Sequence, residues 1–348
     1  MSSVGVLDRV ERLCLEPLTT KALRERTLEV VRRAVPFDAH VWLLTDPVTC
    51  VGTSPLADVP MLAWPRLPEL GRLRYLTTVN RWPELRRAGT PAVSLHAATD
   101  GQPSRSALWR EALDGMGVTD VASSVFADRF GCWAWLDLWR CDGVFTATEV
   151  ALLRDLTGPL TEGIRRAQAR SFVEDAEPVE LAGPAVILFD ADYRVVSQTA
   201  TAATALMVLN PPGEEPIPDP IPAAALNVAG ALLAAEAGVP VGPAWSRVHL
   251  GAGRWVTLRA ERMTGTVEVA VTIEVSTVAE RREVFALAHG LSPREREVLG
   301  HLATGSDSRT MAQALVLSEH TVNDHVRAVL AKCEAPTRAV LMSRIAGA

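Results

Sequence analysis

Residues 291–348 read LSPREREVLGHLATGSDSRTMAQALVLSEHTVNDHVRAVLAKCEAPTRAVLMSRIAGA, and their own punctuation divides them into four short helices. Ser292 is a good N-cap, Pro293 suits the first helical position, and Glu295 three residues on completes a capping box. Val298, Leu299, Leu302 and Ala303 form the apolar stripe of this helix, and Gly305 ends it. Asp307 caps a second helix through Val316, with Met311, Ala312 and Leu315 inward. Ser318 caps a third, in which Val322, Val326, Val329 and Leu330 share a face, and Thr337 caps a fourth through Ala346. The tight Leu317-Ser318-Glu319 link between the second and third makes a helix-turn-helix. The opposite face of the third helix carries His320, Asn323, Asp324 and Arg327. Asn can pair bidentately with adenine, Arg with guanine, and Asp can accept from the cytosine amino group, so such a helix can read a major groove. Polarity alone suits equally the solvated face of an ordinary helical bundle.

Upstream, charge is uneven. Residues 1–170 hold 21 basic and 20 acidic side chains, residues 171–287 hold 7 and 15, and residues 288–348 hold 7 and 6, together the 35 and 41 of the whole chain. A net charge of −6 with 48% apolar residues excludes a disordered chain and a wholly basic nucleic-acid coat. The longest apolar stretch, 221–235, is interrupted by Pro222 and Asn227 and is too short for a membrane span. Charges crowd the N-terminus where a signal peptide needs its apolar stretch, so a cytoplasmic location is expected. The five cysteines are scattered, without C-x-x-C, as expected of reduced thiols. No internal repeat is visible in the sequence.

The chain reads as multidomain α+β. Residues 1–170 are mixed α/β: helix-like from Asp8 to Ala34, strands at Ala39–Leu44, Val121–Ala127 and Cys132–Leu138, then a long helix over Thr146–Ala169 capped by Thr146 or Thr148. That helix bears a stripe at Val150, Leu153, Leu156, Leu160, Ile164 and Ala167, suited to a parallel dimer contact or to packing on its own sheet. Residues 171–184, acidic and proline-bearing, are expected as a linker. Residues 185–276 are expected as α+β, with strands at Ala185–Phe189 and Val195–Gln198, helices at Thr201–Leu209 and Ala223–Ala237, and a meander at Trp245–Leu250, Arg254–Glu261 and Val267–Val275. The proline-rich run 210–222 is expected as a loop within it, and Gly251–Gly253 as a hairpin turn. Residues 277–290 are left as a connecting segment.

The C-terminal residues resemble the DNA-binding domain of LuxR/FixJ-type bacterial transcription regulators. The pattern runs through Leu291–Leu299, then Gly305, Ala312 and Leu315, then Ser318, Thr321, Val322, His325 and Val326, then Lys332, Thr337 and Arg338. The resemblance implies base reading by Asn323, Asp324 and Arg327, phosphate contacts by His320, Thr321 and Lys332, and a dimerising fourth helix. Where the family commonly follows the lysine with Leu-Gly-Val, this chain has Cys333-Glu334-Ala335-Pro336. Residues 1–170 are similar to a GAF domain and residues 185–276 to a PAS domain, by pattern more than by motif.

No cofactor or metal motif is recognisable. His249 reads as a core or surface strand residue, and the Asp190/Asp192 pair as a strand end and turn. Nor does a nucleophile–base pair, phosphate loop or metal cluster appear, so no enzyme is expected. Trp133, Trp135 and Trp139 alternate on one strand and are expected on one face, either in the core or lining a pocket for a flat apolar ligand. The expectation is a homodimeric regulator reading a palindromic operator in double-stranded DNA, with a possible small-molecule ligand upstream. The rival is an interaction protein that keeps a helix-turn-helix without binding DNA.

Overall fold

The computed structural model describes residues 3–173, 183–209, 222–250 and 253–347. Most of the expected linker, the proline-rich loop and most of the Gly251–Gly253 turn lie outside these. Among the described residues no helix is long and apolar enough to cross a membrane.

The N-terminal part begins with α1 (Ser3–Leu15) and α2 (Thr20–Arg32). These replace the single helix expected over Asp8–Ala34. Pro17 interrupts the pattern, and the Thr19 side chain caps the new start by accepting from the Ala22 amide. Five strands follow: β1 (Ala39–Thr45), β2 (Gly52–Asp58), β3 (Ala92–Ser94), β4 (Asp120–Asp128) and β5 (Gly131–Arg140). They form an antiparallel sheet in the order β2-β1-β5-β4-β3. Between β2 and β4 the chain makes α3 (Leu67–Leu76), α4 (Trp82–Arg87) and α5 (Leu95–Ala98). The long α6 (Ala147–Arg170) closes the unit, and Thr146 with Glu149 makes its capping box. The α6 stripe is buried against its own sheet and α1, with Leu160 and Ile164 at 2% and 0% exposure. It is therefore not free to serve as a dimer seam.

The second sheet comprises β6 (Ala185–Phe189), β7 (Val195–Gln198), β8 (Trp245–His249), β9 (Trp255–Arg262) and β10 (Val269–Val275). Its order, β7-β6-β10-β9-β8, repeats that of the first sheet strand for strand. In both, strands one and two form a hairpin, helices follow, and the last three strands close the sheet. The repetition is topological, which is why the sequence shows no repeat. α7 (Ala200–Leu209) and α8 (Ala223–Glu236) cover one face. Residues 277–290, expected only as a connection, contain α9 (Val278–Ala288), announced by a Thr277/Glu280 capping box. It leads into α10 (Pro293–Ala303), α11 (Ser308–Leu315), α12 (Glu319–Lys332) and α13 (Arg338–Ala346).

One loop joins the parts. Asp46, at the end of β1, and Arg247, on β8, are both fully buried and meet in a bidentate ion pair, with Nε to Oδ2 at 2.6 Å and Nη2 to Oδ1 at 3.0 Å. Asp46 also accepts the amides of Val48, Thr49 and Arg247. Arg247 reaches on to Glu283 and to the Glu280 carbonyl of α9. Thr49 donates to the Trp245 carbonyl at 2.8 Å, and any side chain at Gly242 would fall on the Thr49 backbone. Both sheets and the helix leading to the C-terminal module thus share one buried polar joint. Removing one partner strands the other's charge. Asp46→Ala should cost about 3–5 kcal/mol, read as a lower urea midpoint, and a midpoint within error of the parent would show that the joint is dispensable.

Candidate nucleic-acid interface and ligand cavity

The caps of the four C-terminal helices fall where the sequence places them: Ser292 with Glu295, Asp307, Ser318 and Thr337 each accept from an amide in the first turn. Leu299, Met311, Val322, Val329 and Leu341 are fully buried in their core. That core runs on into Phe172, after α6, and Trp255 of β9. Phe172 stacks on Trp255 with centroids 5.0 Å apart and meets Phe285 of α9 edge-on at 5.2 Å. Among the described residues of these four helices and their links, two adopt left-handed backbone without being glycine: Val316 in the turn (φ 54°) and Glu334 after α12 (φ 50°). Glu334 occupies the place where the resembling family has glycine, which tolerates that conformation without Cβ strain. Arg344 holds it there by donating to the Cys333 and Glu334 carbonyls.

The outward face of α12 presents the candidate residues. His320 is exposed, and its Nε2 lies 3.5 Å from Asp324. Arg327, 71% exposed at its side chain, pairs with Asp324 at 2.7 Å. Thr321 is half-buried and shares a hydrogen bond with Ser318 at 2.9 Å. Asn323 is partly buried and accepts from Ser308 of α11, which fixes its amide orientation. Lys332 sits at the far end of α12, paired with Glu295 at 2.7 Å. Three of the six candidates, His320, Asp324 and Arg327, form one connected polar group, and Asn323 lies next to Asp324 on α12, held by Ser308. Lys332 instead ties α12 to the start of α10, with half its side chain still accessible.

A second site lies on the first sheet, on the face away from α1 and α6. Val41 and Leu43 of β1, Leu70 of α3, Leu108, Val121 and Trp139 wall an apolar cavity of about 200 Å³. Ala223, Leu226 and Asn227 of α8 complete it, so the second sheet's helix helps close a chamber built on the first sheet. Its polar floor is a buried cluster on Asp137. Arg74 Nε lies 2.9 Å from Asp137 Oδ2, while Ser123 and the Trp82 indole donate to Oδ1 at 2.6 and 3.1 Å. The Arg74 guanidinium lies 3.8 Å from the Trp82 ring centroid and donates to the Asn80 carbonyl. Two donors on the wall have no partner among the described residues: the indole NH of Trp139, itself 4% exposed, and the side-chain amide of Asn80. Sequence reasoning missed this floor. The available signal was the lone Asp137 within the apolar run Trp133–Trp139, because a buried carboxylate needs a cation.

The three strand tryptophans do not share a face. A bulge sets Ala127 opposite Cys132 and Phe126 opposite Ala134, leaving Trp133 as the extra residue. Trp133 turns to the helix side, where its indole donates to Asp128. Trp135 stacks on Trp82, with centroids 5.7 Å apart, and Trp139 lines the cavity. Asp190 accepts the amides of Asp192 and Arg194, the turn expected there. His249 is in β8, its ring 5.3 Å from that of Trp255.

Residues 289–345 match the family model of the bacterial regulatory proteins of the luxR family, GerE. This segment is a luxR-type helix-turn-helix domain. Among solved structures, SdiA in complex with octanoyl-rac-glycerol is similar at 13% identity and a TM-score of 0.32, over 99% of this chain and 94% of that one. Escherichia coli SdiA is similar at 14% identity and a TM-score of 0.31, over 99% and 96%. A likeness at that level says nothing about the upstream domains, whose reading rests on their own residues. No curated protein matches the chain.

Burial holds His40, His249 and His289 down to about 4, from an ordinary value of 6.5. His289 lies where α9 meets the C-terminal domain, its ring 4.2 Å from that of Phe285. Between 4 and 6.5 the unfolded chain binds more protons than the folded one, so stability rises with pH across that window. The contribution is complete above 6.5 and is lost as pH falls toward 4. The urea midpoint should therefore drop between about pH 7 and about pH 5, and a flat or rising midpoint would show these rings already charged in the fold.

Proposed function

We propose that the chain is a sequence-specific, homodimeric DNA-binding transcription regulator whose α12 reads a palindromic operator and whose first domain senses a small apolar molecule. The observation that carries the reading is the capped four-helix luxR-type domain whose α12 carries the connected polar group His320, Asp324 and Arg327, with Asn323 beside it. In this reading Asn323, Asp324 and Arg327 meet base edges, and His320, Thr321 and Lys332 meet phosphates. The upstream units, residues 1–170 and 185–276, are a GAF-like and a PAS-like domain, and their common strand order supports treating them as related sensory modules. Residues 291–348 are the DNA-binding unit. A chromosome-reading protein works in the cytoplasm, and we place it there.

Sharp genomic binding peaks sharing a palindrome would establish class and operator together. Absence of such peaks, with another regulator co-purifying, would favour the interaction-protein reading, which the pairing of Arg327 and Lys332 to carboxylates supports. On the operator, Arg327→Ala should cost about 1–3 kcal/mol and relax preference at one base position. An equal loss on random DNA would instead make Arg327 a phosphate contact.

The cavity supports sensing because it is apolar, sheltered and furnished with unpartnered donors. Engineered cavities of about 150 Å³ already accept benzene. An apolar ring bearing a carbonyl fits both the walls and the Trp139 and Asn80 donors. Closure by α8 ties occupancy to the second sheet, and β9 of that sheet touches the C-terminal core through Trp255. Propiophenone should bind more tightly than propylbenzene, and Trp139→Phe should remove about 1 kcal/mol of that preference. Equal affinities for the two compounds would show that the donors take no part.

A further inference from the structure

Of the five cysteines, Cys50 and Cys132 stand apart, because the fold brings two positions 82 residues apart into one packed cluster with Leu43, Trp82 and Trp135. Cys50 lies in the loop after β1, half-buried, with left-handed backbone at φ 62°. Arg86 of α4 donates to its sulfur at 2.6 Å. Cys132 is fully buried at the start of β5. Its amide donates to the Pro47 carbonyl of the same loop at 3.2 Å, and the Trp135 indole donates to the Cys50 carbonyl at 3.1 Å. The loop and the strand end are therefore pinned together on both sides of the two sulfurs. A small cleft lined by Cys50, Arg81, Trp82 and Trp135 adjoins them.

We propose that Cys50 and Cys132 are an oxidisable thiol pair, in which Cys50, seated on Arg86, reacts first with a hydroperoxide and Cys132 resolves the product to a disulfide. Cys50 gives its proton to solvent, and its thiolate attacks the terminal peroxide oxygen. The O–O bond breaks, and the alkoxide takes a proton from water and leaves as an alcohol. The Cys132 thiol then attacks the Cys50 sulfenic acid, the S–S bond forms, the S–O bond breaks, and the hydroxyl leaves with the thiol proton as water. Two thiols lose two electrons and one hydroperoxide gains them. Hydrogen bonding from Cys132, with the Arg86 charge, holds the Cys50 thiol below its ordinary value. Burial instead pushes Cys132 well up, Cys14 to about 11 and Cys333 to about 12, and raises Cys141. The thiolate is the reactive form, which selects Cys50 as the entry point. The cross-link would rigidify the loop that carries Asp46 and Thr49, placing an oxidation signal at the joint between both sheets and α9. The inference does not depend on what the C-terminal domain reads.

The full-length chain is titrated with hydrogen peroxide, alkylated under denaturing conditions and digested for mass spectrometry. Cys50 and Cys132 should disappear together as one cross-linked peptide, and Cys50 should react about tenfold faster than Cys141. Cys132→Ser should arrest the reaction at a Cys50 sulfenic acid that dimedone labels, and Arg86→Gln should slow the first step. Cys50 reacting no faster than Cys141 in the unaltered chain, or oxidising fully while Cys132 stays alkylatable, would overturn the proposal, and neither result depends on a variant folding.

Discussion

The buried pair between Asp46 and Arg247 is the constraint on which the arrangement of this chain depends. Two fully buried charges are tolerable only when each satisfies the other and their remaining hydrogen-bonding capacity is filled. Asp46 meets that demand with three backbone amides, and Arg247 with Glu283 and a carbonyl of α9. The partners come from three separate pieces of chain, so the pair forms only when the first sheet, the second sheet and α9 are seated together. Such a pair adds little net stability over an apolar substitute, but a misregistered assembly leaves a charge stranded. It specifies one relative placement of the parts.

That placement makes the cavity. The first sheet supplies most of the walls, but α8 supplies Leu226 and Asn227, and Gly230 of α8 accepts the Tyr75 ring so closely that a Cβ would stand 2.7 Å from it. A chamber closed by another domain's helix differs from one sealed in a single core, since filling it acts on the contact between domains. The aromatic stack of Phe172, Trp255 and Phe285 then lies between the second sheet and the helix-turn-helix core. A continuous packed route thus exists from the cavity to α12.

The C-terminal domain separates its structural charges from its exposed ones. Glu295 caps α10 and holds Lys332, and Arg281 donates to the carbonyls of Arg344 and Ile345, binding the end of α13 to α9. On the outward face of α12, Arg327 is paired with Asp324.

The sequence alone determined the C-terminal domain nearly to the residue, because caps, stripes and turn obey rules that act within a few positions of one another. The five strands and two helices of the second sheet's unit, and β1, β4, β5 and α6 of the first, were legible for the same reason: period-two and period-three-to-four patterns are local, whereas β2, β3 and α3 to α5 were not read from the sequence. Tertiary structure alone decided three things. The bulge that turns Trp133 away from Trp135 and Trp139 is a shift of register where β5 pairs with β4 across their hairpin, which the alternation of residue types does not encode. Asp137 and Asp46 look alike in the sequence as lone carboxylates in apolar runs, and only folding supplies Arg74 to one and Arg247 to the other. The closeness of Cys50 to Cys132 likewise depends on the first strand's loop meeting the start of the fifth. For the buried ion pairs and the two cysteines the deciding contact spans tens to hundreds of residues, and no local rule carries information over that distance.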